Sequence, residues 1–298
     1  MSEIKSVAIA GASGTLGVHV VKALTSANFQ VKVLTRSKKP GAFDASVDVV
    51  EVDFTSVESL TAALKGVDAV VSTVAGTAID SQNVLIDAAA IAGVKRFIPS
   101  EYGSVTTNPE VEKFPVYAPS FKIKHYLQEK VNAGQLTWTV LACGAFLEFV
   151  FMGGLLDFAG RKAELLDEGD NRFSSTSLPN VGKAIAGILK NPDVTQNRVV
   201  RVSEVILTQN QLLKIAQRLK PEGKWEISKL PASALLEEGL DALSAGDFSF
   251  PVIMKIIKGT ALAGDKYGAA YDENDNELLG VKELTEEYLK KLVSEKLV

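Results

Sequence analysis

The stretch Val7-Ala8-Ile9-Ala10-Gly11-Ala12-Ser13-Gly14-Thr15-Leu16-Gly17 decides how this chain is read. It begins as an apolar run and is followed by apolar residues at helical spacing, Val18, Val20, Val21 and Leu24. That context predicts a strand, a glycine turn and a helix N-terminus. The first N–H groups of a helix have no partner within it and attract anions, so the turn suits a pyrophosphate. Gly11 permits the tight turn, Gly14 lets a phosphate approach the backbone, and Gly17 lets the helix pack close to the sheet. Ser13, Thr15 and Leu16 complete the cradle. The spacing is G-x-x-G-x-x-G rather than G-x-G-x-x-G, so its place at a strand–helix junction carries the reading. The competing interpretation is a tight turn with no ligand.

Composition narrows the classes. The chain has 298 residues, 46% of them hydrophobic and 23% charged, which is ordinary for a globular protein with a sizeable core. A net charge of −4 leaves no electrostatic footprint for nucleic acid. The one cysteine, Cys143, excludes an internal disulfide, and with His19 and His125 it forms no metal-ligand cluster. The most apolar stretch, 140–156, contains Glu148 and paired glycines, so it reads as buried core rather than a membrane span. No apolar signal region precedes the first strand, and a reducing, cytoplasmic setting is expected.

Alternating patterns predict strands at 5–10, 30–34, 48–52, 68–73, 94–98 and 137–142, with helices at 15–27, 56–64, 80–92 and 120–132. Gly93 stands where a helix would stop. Strands separated by amphipathic helices imply an α/β fold with a Rossmann-type, doubly wound parallel sheet. Its ligand crevice lies at the carboxyl ends of the strands, where the glycine turn also falls. The second half is less regular: helices at 181–189, 209–218, 230–243 and 283–296, a strand at 198–202, and Pro221, Pro231 and Pro251 between them. Residues 1–145 therefore read as a dinucleotide-binding domain. Residues 146–298 read as a smaller substrate-binding lobe, free to return strands and helices to the main sheet.

The second strand ends at Val33-Leu34-Thr35-Arg36, with Lys38 and Lys39 beyond. NAD-binding sites usually carry an acid here for the ribose 2′-hydroxyl. A guanidinium instead binds a 2′-phosphate through two hydrogen bonds, which favours NADPH. The alternative is a solvated basic loop. Asp53 and Phe54 follow the third strand, where they reach the adenine; Asp53 is equally a candidate cap for the helix at 56. Thr73, Val74 and Ala75 end the fourth strand beside the sugar–phosphate chain.

With these pieces in place, the chain resembles the NmrA-like and isoflavone-reductase-like branch of the atypical short-chain dehydrogenases. The matching stretches are 11–17, Thr35-Arg36 and Val94-Lys95-Arg96-Phe97-Ile98-Pro99-Ser100-Glu101-Tyr102-Gly103. The likeness continues through the helix of Lys124 and into 140–146, and is loose beyond. It implies NADPH as cofactor and a reductase of aromatic or conjugated small molecules. The same family includes non-catalytic NADP(H)-sensing regulators, so that alternative stands beside the enzyme. Ordinary short-chain dehydrogenases use Tyr-x-x-x-Lys. By resemblance Lys124 takes the lysine position and Ser120 the tyrosine position, and the reductase branch assigns proton transfer to the lysine. A nucleotide-dependent isomerase is disfavoured by that missing tyrosine. Two competitors for Lys124 are the literal match Tyr126-Leu127-Gln128-Glu129-Lys130 and His125, whose direction on the helix differs from that of its neighbour.

The resemblance also runs 142–146 past the nicotinamide, so Cys143, Gly144 and Phe146 join the cofactor set. Gly144 stands where plant reductases commonly carry Asn. Tyr102, Phe146, Phe149 and Met152 are the candidate substrate contacts. Phe151 and Phe158 are open to core or pocket roles, and Phe248 and Phe250 are candidates to close the pocket. The substrate itself and the oligomeric state are not legible.

Overall fold

Val7 and Ile9 point to one face of strand β1 (Ser6–Ala10), Ala8 and Ala10 to the other, and all four are fully buried. A strand buried on both faces belongs inside a sheet that helices cover on both sides. The computed structural model, which describes residues 3–39 and 41–297, has this architecture. After β1 come α1 (Gly17–Ser26), β2 (Gln30–Thr35), β3 (Asp48–Glu51), α2 (Val57–Leu64), β4 (Ala69–Ser72), α3 (Gln82–Ala92), β5 (Arg96–Ile98), α4 (Ala118–Asn132) and β6 (Thr137–Ala142). Then follow β7 (Ala145–Phe146), α5 (Leu147–Phe149), β8 (Lys162–Leu166), β9 (Phe173–Thr176), α6 (Leu178–Lys190), α7 (Pro192–Thr195), β10 (Arg198–Arg201) and β11 (Val205–Leu207). The chain ends with α8 (Gln209–Leu219), β12 (Glu226–Leu230), α9 (Ala232–Ser244), α10 (Phe250–Ala261), α11 (Asn276–Leu279) and α12 (Glu286–Lys296).

Seven strands form one parallel sheet in the order β10-β6-β5-β4-β1-β2-β3. Ala10 pairs with Leu34 on one side and Ser72 on the other, so β1, β2 and β4 end on one line. Local chemistry sets several boundaries. The Ser56 side chain accepts from the Ser59 N–H at 3.1 Å and caps α2. Gly93, at φ 78°, closes α3 in the left-handed conformation. Helix α4 starts at 118 rather than 120, because Pro119 sits in its first turn, where a missing N–H costs nothing.

The burial pattern divides into three cores. One lies between the sheet and α1 with α6, built on Val20, Leu24, Val181, Ile185 and Ile188. A second lies between the sheet and α2, α3 and α4. The third belongs to the lobe, around β8, β9, α8, α9, α10 and α12, but takes Val105, Val111, Phe114, Tyr117 and Phe121 from the first half. Conversely, α6 covers the main sheet and β10 extends it beside β6. The two units thus interleave across residue 145.

Arg96 binds these parts together. Its guanidinium is fully buried and donates to Thr137 Oγ1 (2.9 Å), Thr139 Oγ1 (2.8 Å), Thr195 Oγ1 (3.0 Å) and the Pro192 carbonyl (2.7 Å). Burial lowers its pKa to about 10, against the opposing charge of Asp193, so it stays charged at neutral pH. It ties β5 to β6 and to α7, just ahead of β10.

The second half holds elements that its pattern did not announce. Strand β9 reads Phe-Ser-Ser-Thr and is wholly buried, its hydroxyls meeting backbone partners at Ala145, Val202 and Tyr271. Pro251 opens α10 from its first turn instead of breaking a helix. Pro231 precedes α9, so Leu230 ends a strand rather than starting a helix. Among the described residues no helix is long and apolar enough to cross a membrane, and no acid, histidine or cysteine cluster could hold a metal ion. The 140–156 stretch is spent on β6, β7, α5 and the π-helical turn Val150–Gly154.

Candidate functional site

The carboxyl edge of the sheet begins with the glycine turn. Gly11 has φ +82°, and a Cβ there would lie 2.7 Å from the Thr73 backbone. Thr73 is held against it, with its N–H and hydroxyl donating to the Ala10 carbonyl at 2.8 and 3.0 Å. A Cβ on Gly17 would sit 2.2 Å from the Gly11 carbonyl oxygen. The third glycine therefore clears the turn itself, rather than the sheet. Gly14 differs: its Cβ would meet only the Gly11 oxygen, at 3.2 Å, so its outer side is open. No side chain caps α1, Ser13 and Thr15 are exposed, and the Leu16 side chain goes into the core, leaving backbone groups at the opening. An uncapped helix start behind an open glycine fits a pyrophosphate.

Arg36 follows β2 and lines a hollow of about 510 Å³ with Glu51, Val52, Asp53, Phe54, Thr55 and Ser59. Arg36 has no ion-pair partner among the described residues, and Lys39 is exposed nearby in sequence. The Asp53 carboxylate accepts from the Thr55 hydroxyl (2.7 Å) and N–H (2.8 Å), contacts that lower its pKa. It steadies the turn before α2, while Ser56 does the capping. Glu51 was not anticipated in this hollow; it accepts from the Lys38 N–H at 3.2 Å. Val74 accepts from the Ser100 hydroxyl at 2.5 Å, and Ala75 is exposed. Turn, hollow and free guanidinium together fit a dinucleotide carrying a 2′-phosphate.

Lys124 is half-buried on α4, its Nζ 5.0 Å from the centre of the Phe121 ring. Its rivals are engaged elsewhere. The Tyr126 hydroxyl donates to Asp87 at 2.5 Å, and Lys130 pairs with the same carboxylate at 2.6 Å, so the literal Tyr-x-x-x-Lys ties α4 to α3. His125 is exposed and lies 3.8 Å from Glu112. Ser120 is half-buried on the first turns of α4.

The segment after β5 contributes a residue that the sequence reading gave no role. Glu101 is buried, and its Oε1 has no hydrogen-bond partner. Burial raises its pKa to about 8, against the opposing pull of Thr106 and of the Lys124 charge. The Thr106 hydroxyl approaches it, yet neither oxygen completes a well-formed bond. The available signal was a lone acid just past an all-buried strand.

The Tyr102 hydroxyl donates to the Ser72 carbonyl at 2.8 Å, which fastens the ring to the end of β4. Burial holds that phenol and the Cys143 thiol neutral by raising both pKa values. Cys143 is fully buried, with Sγ 3.3 Å from the Tyr102 carbonyl. Gly144 adopts φ +70°, and a Cβ would lie 2.1 Å from the Ser174 carbonyl oxygen, so β9 leaves no room for any side chain there. Phe146 and Phe149 meet edge to face at 5.6 Å; Phe149 is 47% exposed and Met152 73%. Phe151 and Phe158 stack on each other in the lobe core, while Phe248 and Phe250 are exposed.

Residues 3–289 match the family model described as the NmrA-like family, and the chain belongs to that family. It is 35% identical to Oxidoreductase aprR of Aspergillus flavus over 283 residues, covering 92% of this chain and 94% of that protein. Among solved structures it resembles an isoflavone reductase with TM-score 0.76 at 24% identity, over 97% and 99% of the two chains. A leucoanthocyanidin reductase–NADPH complex from Vitis vinifera gives 0.75 at 22% identity, over 98% and 99%.

Proposed function

We propose that this chain is an NADPH-dependent reductase of aromatic or conjugated small molecules, with Lys124 as its general acid. One observation carries the reading. At the carboxyl ends of β1 and β2 stand an open glycine turn and an Arg36-lined hollow, and α4 carries the half-buried amine of Lys124, while its competing amine, phenol and imidazole at Lys130, Tyr126 and His125 are engaged elsewhere. The similarity to a fungal oxidoreductase across almost the whole chain, and to NADPH-bound reductases in fold, supports it.

NADPH supplies the hydride when bound. Gly11, Gly14 and the start of α1 hold its pyrophosphate, and Arg36 recognises the 2′-phosphate. Thr73, Val74 and Ala75 flank the sugar–phosphate chain. Phe146, Phe149 and Met152 offer an apolar wall to an aromatic ring. As charge develops on a substrate oxygen, the Lys124 ammonium stabilises it and then donates a proton. Reduction of C=C, C=O or a benzylic ether is compatible with this arrangement.

Lys124→Ala tests the assignment: turnover is lost while NADPH affinity, measured by calorimetry, stays within a few fold. Full turnover of a cognate substrate by that variant would reject it. NADPH binding without oxidation of the cofactor in the presence of any aromatic acceptor would instead fit the sensing role.

A further inference from the structure

Phe121 and Lys124 stand three residues apart on α4, so their side chains share one face of the helix. The Lys124 Nζ lies over the Phe121 ring, 5.0 Å from its centre. That ring is a fixed platform. It is buried and belongs to the lobe core with Val111, Phe114 and Tyr117. One turn earlier, the Tyr117 hydroxyl shares a 2.6 Å hydrogen bond with Thr260 of α10, which pins this end of α4 to the lobe. The Lys124 amine itself makes no hydrogen bond or ion pair among the described residues. Lys130, further along the same helix, is the contrast. Its Nζ lies 4.7 Å from the centre of the Tyr126 ring but also 2.6 Å from the Asp87 carboxylate. That carboxylate occupies the ammonium and raises its pKa. A ring face attracts a cation through its quadrupole and leaves the N–H groups uncommitted. Lys124 is therefore held by a ring alone, with its hydrogens still to give.

We infer that Phe121 is a positioning residue for the proposed reduction, its ring face holding the Lys124 ammonium in place for proton donation. This deepens the reading of Lys124 as general acid and rests on it. A lysine carries its charge on a flexible four-carbon stem, which must settle before an N–H can point at a substrate oxygen. Orienting the donor in advance removes that cost from the reaction step. An ion pair would also hold the amine, but it would favour the charged form and retain the proton that has to leave. The ring orients the cation with a weaker grip. Because Phe121 is part of the lobe core, the packing of the second half of the chain reaches the amine through this one ring.

Replacing Phe121 with phenylalanines that carry successively more ring fluorines separates the electrostatics of the ring from its shape. Each fluorine withdraws negative charge from the ring face, while volume and packing hardly change. The expected result is a kcat that falls stepwise along the series, with NADPH affinity by calorimetry unchanged. Phe121→Leu, which has no ring face, should lower kcat by about tenfold. A rate that is flat across the fluorinated series overturns the inference even if Phe121→Leu is slow, because the loss then reflects packing. A second readout needs neither cofactor nor turnover. In NMR spectra of the protein labelled with ¹³C-lysine, the ring current should move the Lys124 ε-CH₂ protons upfield of the position of an exposed lysine. That signal is assigned by its absence in Lys124→Arg, and Phe121→Leu should abolish the shift. An unshifted Lys124 signal in the wild-type protein overturns the inference as well. Full turnover by Lys124→Ala would instead bring down the general-acid reading beneath it, with the ring-current shift of the wild-type protein intact. An inactive Lys124→Ala beside a flat fluorine series removes only the role of Phe121, so the two failures are distinguishable.

Discussion

The glycine turn and the Lys124 corner are built on different principles. The turn is made of backbone: Gly11, Gly17 and Thr73 fit because no Cβ intrudes within 2.2–2.7 Å of a neighbouring main chain. The corner is made of side chains delivered from distant places, with Lys124 from α4, Glu101 from the loop after β5, Cys143 from the end of β6 and Tyr271 from far down the chain. The turn is consequently stiff and specified by local residues. The corner tolerates local change but depends on the whole fold. Binding and chemistry should therefore fail separately.

The widest separation comes from Lys124→Ala, expected to cut kcat by about 10²- to 10⁴-fold with little change in cofactor affinity. Parallel loss of affinity and rate would merge the two regions and weaken the contrast. Gly17→Ala is the mirror experiment. Its new Cβ meets the Gly11 carbonyl, and overpacking of about 1–3 kcal/mol corresponds to up to roughly 100-fold weaker NADPH binding, measured by calorimetry. Arg36→Glu comes next: NADPH binding should fall on the order of tenfold more than NADH binding, since only the former offers a phosphate to the guanidinium. Equal losses would mean that the hollow does not read the 2′-phosphate.

Asp68 supplies a control at the opposite edge of the sheet. Burial would raise its pKa, but Lys95 at 2.6 Å, the Ser6 and Lys5 N–H groups and the Ser6 hydroxyl prevail and hold it near 2. Its folded pKa is depressed, so its contribution is present above pH 4 and lost as pH falls toward 2. Asp68→Asn should remove roughly 2 kcal/mol of stability at pH 7 and flatten the acid limb of denaturant titrations. Unchanged acid sensitivity would show that other carboxylates govern it. The smallest effect belongs to Tyr126→Phe: about 1 kcal/mol of stability with the Asp87 bond, and turnover within about twofold of wild type. A large loss of turnover would restore the literal Tyr-x-x-x-Lys as a rival.

The local geometry of the proposed cofactor side was legible because its signals are short-range. Gly11, Gly14 and Gly17 sit within one turn, Arg36 directly follows β2, and Gly93 and Ser56 mark helix ends by their own conformations. The motif 94–103 was visible as a unit, yet its residues divide into unlike roles: Arg96 is an anchor for β6 and α7, whereas Glu101 is a buried acid with an unpartnered oxygen. Nothing in the string separates the two, because the difference lies in which neighbours arrive. The same holds for Tyr126 and Lys130, whose spacing promises catalysis and whose partner Asp87 makes them a brace between helices. Glu51 entered the Arg36 hollow through the pairing of β3 with β2, which no local pattern announces.

The sequence by itself determined the alternation of strands and helices, the tight glycine turn before α1 and the basic residue that follows the second strand, since each depends on a handful of adjacent residues and their backbone preferences. Tertiary structure alone decided that β10 and α6 return to the first sheet, that β9 forbids a side chain at Gly144, and that Glu101 is buried with an unpartnered oxygen. Those outcomes depend on packing and desolvation among residues far apart in the chain, and burial is a property of the assembled neighbourhood rather than of any residue in it.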